Sequence, residues 1–398
     1  MTRSLILRRA RVIQPSRVVE SADIFIKNGR IERVAGGEES TAADAEELDL
    51  SGLTLFPGFI DVHIHGAVGV DTMEATSGDL YCVARFLASR GVTAWLPTFV
   101  PAPEADYARA AAAVESLMLE QDERDPAARA LGVHYEGPFV NSAQCGALRT
   151  AYFRTFREPA DIDVLARVKH DGARHMTTLA PEVEGGIELV RELRRRDWIV
   201  SIGHTRAGAD VLDRALEAGA RHMTHFLNAM APLHHRAPGP IGWGLVRDDV
   251  TCDVIADGVH SDPLVLKLVL RCKQADRLAL ISDAVAPAGL GDGQYEIWGE
   301  KITVTDGRTS NERGSIAGSV ITMLDAVRLM LSLGVPAVDV ARMAATNPAR
   351  LLKLDDEYGS IEEGKRADLA ALDASGNLRL TLIGGRLAFA ARAEIQAA

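Results

Sequence analysis

Eight short apolar runs, at residues 59–65, 94–99, 131–136, 176–180, 199–204, 222–226, 251–257 and 278–283, are separated mostly by stretches whose apolar residues recur at helical spacing. That alternation marks repeated βα units, whose strands must lie parallel because each helix carries the chain back to the starting edge. Eight such units in series predict an α/β fold of the (β/α)8 TIM-like barrel type. One connection shows the logic: Leu80, Val83, Ala84, Phe86 and Leu87 share a helical face, and Gly91 follows as an expected C-cap.

The flanks read differently. Before the first run, strand patterns at 5–12, 21–27, 30–34 and 47–55 are broken at Asn28-Gly29 and Gly36-Gly37. After the eighth run come a Gly-rich loop at 289–293, a β-like excursion at 295–304 and helices at 322–333 and 338–345. Strand signals then return at 367–372, 378–383 and 386–390, around Gly384-Gly385. Chain termini often lie close together, so residues 1–57 and 353–398 are expected to form one small β-sandwich module on a barrel of residues 58–352.

Composition narrows the partners. With 44 Lys+Arg against 55 Asp+Glu the formal charge is −11, which offers no uniform positive field to a nucleic-acid backbone. Charged residues at 25% and hydrophobic ones at 47% fit an ordinary globular chain, and the opening residues, with only Leu5 to Leu7 between charges, lack the apolar run of a signal peptide or membrane span. A cytoplasmic protein is expected. Cys82, Cys145, Cys252 and Cys272 show no CxxC spacing and read as free thiols.

All eleven histidines fall between His63 and His260. His63 and His65 stand two apart on the first run, so an extended backbone turns both to one side. Glu136, His204, His225 and Asp283 lie at or near the C-terminal ends of the third, fifth, sixth and eighth runs, where barrel active sites are built. A divalent metal makes the convergence of so many imidazoles and carboxylates favourable, and mixed ligation of this kind suits Zn²⁺, Fe²⁺, Mn²⁺ or Co²⁺. A metal with an open position lowers the pKa of its water to about 7, which makes hydrolysis the expected chemistry. Asp283 is then the candidate proton carrier, with a ligand-only or capping role as its alternative.

These residues stand in longer motifs. Pro57-Gly58-Phe59-Ile60-Asp61-Val62-His63-Ile64-His65-Gly66 resembles the first-strand signature of the amidohydrolase superfamily. His134-Tyr135-Glu136-Gly137-Pro138-Phe139, Leu179-Ala180-Pro181-Glu182, Gly203-His204-Thr205, Thr224-His225-Phe226-Leu227-Asn228-Ala229-Met230, Ala256-Asp257-Gly258-Val259-His260, Ser282-Asp283-Ala284 and Ile316-Ala317-Gly318-Ser319 resemble, in order, the N-acetylglucosamine-6-phosphate deacetylase family. The C-terminal Gly359-Ser360-Ile361 and Gly364-Lys365-Arg366-Ala367-Asp368 extend the likeness over nearly the whole chain.

The resemblance implies a metal-dependent amide hydrolase that removes acetate from an amino-sugar phosphate, with one or two divalent ions, Zn²⁺ foremost. It implies a main metal on Glu136, His204 and His225, a second position involving His63 and His65, and Asp283 as general base and acid. It places Asn228, Ala229, Arg236 and His260 at the sugar phosphate, Ala147, Leu148, Ile316, Ala317 and Gly318 beside the substrate, and Arg236 across a homodimer interface. The alternatives are another N-acetylhexosamine phosphate, an N-acyl amino acid, or a silent scaffold. One departure stands out: where many relatives have a His that polarises the substrate carbonyl, this chain has Leu148, which leaves the metal or neighbouring Arg149 to supply that charge.

Overall fold

The computed structural model describes residues 4–36 and 45–391. Eight parallel strands, Phe59–Ile64, Val92–Phe99, Gly132–Glu136, Arg174–Leu179, Ile199–Ile202, His222–Met223, Thr251–Ile255 and Leu278–Ile281, run in chain order around a barrel. The seam between the eighth and first strands closes at the mouth, where Asp283 N–H donates to His63 O at 2.9 Å and His65 N–H to Ala284 O at 2.7 Å.

The strand interior is graded along the barrel axis. Ile60, Val62, Leu96, Met176, Ile199, Ile255 and Ile281 pack at the floor with Leu352 and Tyr358 from beyond the barrel. Above them polar side chains bond to one another and to the backbone: His134 Nε2 lies 2.8 Å from Thr178 Oγ1, and Thr98 Oγ1 accepts the Ile64 N–H at 2.9 Å. Apolar filling at the floor and polar side chains toward the mouth leave chemistry only at the C-terminal end.

The helix Ser77–Ala88 begins with a capping box between Thr76 and Asp79 and buries Leu80, Val83, Ala84 and Leu87. Two expectations shift here. Phe86 is only half-buried, and Ser89 rather than Gly91 caps the helix. Gly91, at φ +78°, instead serves the turn into the second strand, where a Cβ would sit 2.9 Å from the Phe59 ring.

Strands Ser4–Ile13, Val18–Lys27, Arg30–Gly36, Glu46–Asp49 and Thr54–Pro57 join Leu369–Leu372, Leu378–Ile383 and Arg386–Ala390 in one sheet, so both chain ends build the same module. Its core, including Leu7, Ile24, Leu55, Leu369 and Leu382, is separate from the barrel's. The Gly36-Gly37 break runs into residues outside the described ones. The excursion after the eighth strand is a three-stranded antiparallel sheet, Gly293–Ile297, Glu300–Thr305 and Arg308–Asn311, which extends beyond the 295–304 that the sequence pattern marked. All four cysteines are free, and no helix among the described residues is long and apolar enough to cross a membrane.

Candidate metal centre

Three of the strand ladders stop two residues short of a functional side chain. His204, His225 and Asp283 follow the fifth, sixth and eighth strands with positive φ values of 47°, 28° and 50°. Left-handed backbone costs a non-glycine residue ~1 kcal/mol or more and persists only where its surroundings impose it. Here hydrogen bonds impose it: the His225 N–H donates to Asp253 Oδ1, and Ser319 N–H donates to Asp283 O at 2.7 Å.

Glu136 closes the third strand and stands at the centre. Its Oε1 lies 2.9 Å from both His204 Nε2 and His225 Nε2, which are 3.1 Å from each other. Its Oε2 lies 3.4 Å from His65 Nε2, and Oε1 lies 3.6 Å from His63 Nε2. The His63 and His65 Nε2 atoms are 3.2 Å apart. Two groups able to hold a metal therefore overlap, His63–His65–Glu136 and Glu136–His204–His225, with Glu136 common to both. Asp283 Oδ1 faces them at 3.4 Å from His63 Nε2 and 3.2 Å from His65 Nε2.

The donor set fits a metal by its outer hydrogen bonds as well. His204 Nδ1 lies 2.8 Å from Gln144 O, an acceptor only, so Nδ1 carries the hydrogen and Nε2 offers a lone pair. His63 Nδ1 has Thr224 Oγ1 at 3.1 Å, and Thr224 leads in turn to Asp253 and His222, a buried chain under the site. Nδ1 of His65 and of His225 are buried without a hydrogen-bond partner. Burial would raise Glu136, but His204 and His225 hold it well below the usual carboxylate range. Burial opposes a charged His225, yet Glu136 lifts it to about 9, while burial keeps His63 well below the ordinary imidazole value. Beneath, burial pushes Asp61 up to about 7 against the bonds it accepts from Ser282, whose Oγ is 2.5 Å away, tying the first strand to the eighth.

The centre opens into a cleft of about 330 Å³. Ala147, Leu148, Asn228, Ala229, His260, Ile316 and Gly318 line it together with Asp283. Ala317 does not: it is buried with Val285, Ile297 and Ile302 beneath the wall. Arg236 lies outside the lining, exposed, with its guanidinium 2.8 Å from His235 Nε2. Arg149 also stays out, donating to Pro101 O at 3.4 Å and covering the Tyr152 ring, so it does not supply the charge that Leu148 lacks.

Gly146, Ser315 and Trp298 also line the cleft, and Thr224 and Asp253 lie beneath it, none of them a site candidate on sequence alone. Gly146 stood beside the Leu148 departure, and Trp298 within the β-like excursion, the one signal that could have found it. Glu182 has a positioning role, accepting from Thr205 Oγ1 at 2.6 Å, Arg206 N–H at 2.6 Å and Asn141 Nδ2 at 2.9 Å, which fixes the loop around His204. A hollow of about 320 Å³ at the opposite end, lined by Ile199, His222, Thr251 and Leu278 where strands begin, is remote from both metal-type groups.

The Amidohydrolase family profile matches residues 54–388. The chain is 33% identical over 392 residues to N-acetylglucosamine-6-phosphate deacetylase of Bacillus subtilis (strain 168), covering 98% of each. It is 34% identical over 385 residues to N-acetylgalactosamine-6-phosphate deacetylase of Escherichia coli O157:H7, covering 96% of this chain and 99% of the relative. The crystal structure of N-acetylglucosamine-6-phosphate deacetylase from Thermotoga maritima matches with TM-score 0.85 at 32% identity, over 97% of this chain and 100% of that one. A closed barrel with histidines and a shared carboxylate at its mouth defines an amidohydrolase. Within that class, the chain belongs to the N-acetylglucosamine-6-phosphate deacetylase family.

Proposed function

We propose that the chain hydrolyses the acetamide of N-acetylglucosamine 6-phosphate to acetate and glucosamine 6-phosphate. The observation that carries this reading is the pair of overlapping metal-type groups sharing Glu136, with Asp283 Oδ1 3.2 Å from His65 Nε2 in the same cleft of about 330 Å³. Glu136, His204 and His225 would hold the main divalent ion and His63, His65 and Glu136 a second, with Zn²⁺ ahead of Fe²⁺, Mn²⁺ or Co²⁺ for this donor set. When bound, the ion polarises the carbonyl and makes water ionisable near neutral pH, the more needed because Leu148 offers no donor. Asp283 takes the proton of the attacking water and returns it to the amine as the C–N bond breaks. Unpaired cysteines and a phosphorylated substrate suit a cytoplasmic enzyme.

The phosphate is assigned to Asn228, Ala229 and His260 from this chain and to Arg236 from a second copy. His260 Nδ1 is held by Asp257 Oδ2 at 2.6 Å, which leaves Nε2 for a ligand. Leu233 and Val259, on the loops of Arg236 and His260, are 51% and 39% exposed, and Leu264 and Leu268 on the following helix are 75% and 49% exposed. Exposed apolar side chains on these two loops and the helix, together with a cation that its own cleft does not use, support a homodimer with Arg236 acting in trans. Arg236→Ala is expected to raise KM for the phosphorylated sugar about 10–100-fold with kcat nearly kept, the worth of a charge-assisted contact. Mixing Arg236→Ala with Asp283→Asn chains should restore activity, because one site of each heterodimer is then whole; no recovery on subunit exchange would place Arg236 in cis.

The galactosamine relative supports a second reading, the C4 epimer as substrate. Acetate release from N-acetylglucosamine 6-phosphate, its galactosamine epimer and unphosphorylated N-acetylglucosamine, with Zn²⁺ and after chelation, decides between them. Release from neither phosphate in the Zn²⁺ sample would sink both readings.

A further inference from the structure

Three buried polar atoms without hydrogen-bond partners belong to residues gathered around His65: its own Nδ1, Asp71 Oδ2 and Trp298 Nε1. Two unrelated pieces of backbone deliver them. Beyond His65 the chain doubles back in a two-stranded ribbon, Gly66–Ala67 against Val70–Asp71, with Gly66 opposite Asp71. A Cβ at Gly66 would lie 2.0 Å from Val70 O, so only glycine permits this return. Thr72 N–H donates to His65 O at 2.8 Å, which fixes the ribbon beside the imidazole. Asp71 Oδ1 accepts the Met73 N–H at 2.8 Å, and Oδ2 is left over.

Trp298 arrives from the hairpin between Gly293–Ile297 and Glu300–Thr305, at a turn where Trp298 and Gly299 have φ of 54° and 75°. Such a turn favours Asn or Gly at its first position, and an indole there carries the cost of left-handed backbone without serving the turn. What the indole serves is the site: its ring meets His65 edge to face at 5.5 Å and 83°. Its N–H also lies beside Asp71, although the contact falls short of a completed hydrogen bond.

His204 and His63 each have an outer partner on Nδ1, and a ligating histidine ordinarily does, often a carboxylate. We propose that Asp71 and Trp298 are positioning residues for a second metal position at His63, His65 and Glu136, Asp71 accepting the His65 Nδ1 hydrogen and the Trp298 N–H steadying the same carboxylate. The pair then holds His65 Nε2 toward Glu136 Oε2, 3.4 Å away. The proposal rests on the metal-dependent reading above and goes beyond it in assigning outer ligands to one metal position alone.

The test is Zn²⁺ titration of the full-length protein by calorimetry, with bound metal counted after dialysis. The wild-type chain should take up two equivalents. Asp71→Asn, which removes the charge and keeps the volume, should weaken the second about 10–100-fold and leave the first within threefold, a split that a general loss of stability would not produce. Trp298→Phe keeps the ring against His65 and deletes only the N–H; it should weaken the second equivalent at least threefold, and it carries the test if Asp71→Asn does not fold. Unchanged second-site binding in both variants overturns the proposal, and an effect confined to Asp71→Asn overturns the part given to Trp298. A wild-type chain that binds one equivalent also overturns it, whereas one that binds none would instead sink the metal-dependent reading.

Discussion

Asp283→Asn is expected to bind the sugar phosphate with nearly wild-type affinity and to hydrolyse it about 10²–10⁴-fold more slowly, the range for loss of a positioned proton carrier. The substitution is clean for a structural reason. Asp283 sits at φ 50°, and asparagine is among the few residues that accept left-handed backbone at little cost, so the turn after the eighth strand should survive. The hydrogen bonds that pin this turn, Asp283 N–H to His63 O at 2.9 Å and Ser319 N–H to Asp283 O at 2.7 Å, are made by the main chain and do not notice the side chain. What changes is Oδ1, which faces His63 and His65 at 3.4 and 3.2 Å and can no longer gain and lose a proton. Steady-state kcat and KM, with bound metal counted in the same samples, separate the cases. A kcat within threefold of wild type at equal metal content would remove Asp283 from the proton path.

That turn also shows where sequence pattern stops being informative. The eight barrel strands were legible because each is a short apolar run, five of them with metal-type residues at or near the same end, and burial of both faces leaves few other ways to arrange such runs. Their ends were not: the runs continue in composition to His204, Phe226 and Asp283, while the hydrogen-bonded ladder stops at Ile202, Met223 and Ile281. The reason is the positive φ at His204, His225 and Asp283, a conformation set by tertiary hydrogen bonds and invisible in local propensity. Asp253 shows the same limit from another side. Within its strand it looks like one polar residue among apolar ones, and only the register of the seventh strand against the sixth brings it onto His222 and the His225 N–H. Ala317 and Arg149 were misplaced because a motif gives the segment that reaches the site but not which of its side chains turns inward.

Glu136→Gln should cost more than any single histidine replacement, because Glu136 alone belongs to both metal-type groups. Its two oxygens divide the work: Oε1 meets His204 and His225 at 2.9 Å, and Oε2 meets His65 at 3.4 Å. The amide keeps the volume and one acceptor while removing the charge that two cations would share. It also brings an N–H group among imidazole nitrogens already within 3.1–3.2 Å of one another. Both metal positions should therefore empty together, and a metal's Lewis acidity is worth several kcal/mol, so activity should fall on the order of 10³-fold or more. His63→Ala touches one group only and should empty that position while the Glu136–His204–His225 group keeps its ion and much of the rate. Metal content per chain, read beside acetate release for the two variants, puts this asymmetry to the test. Equal losses in both would mean that the two groups act as one cooperative site, and a Glu136→Gln protein that keeps its metal and its rate would end the shared-carboxylate account of this centre.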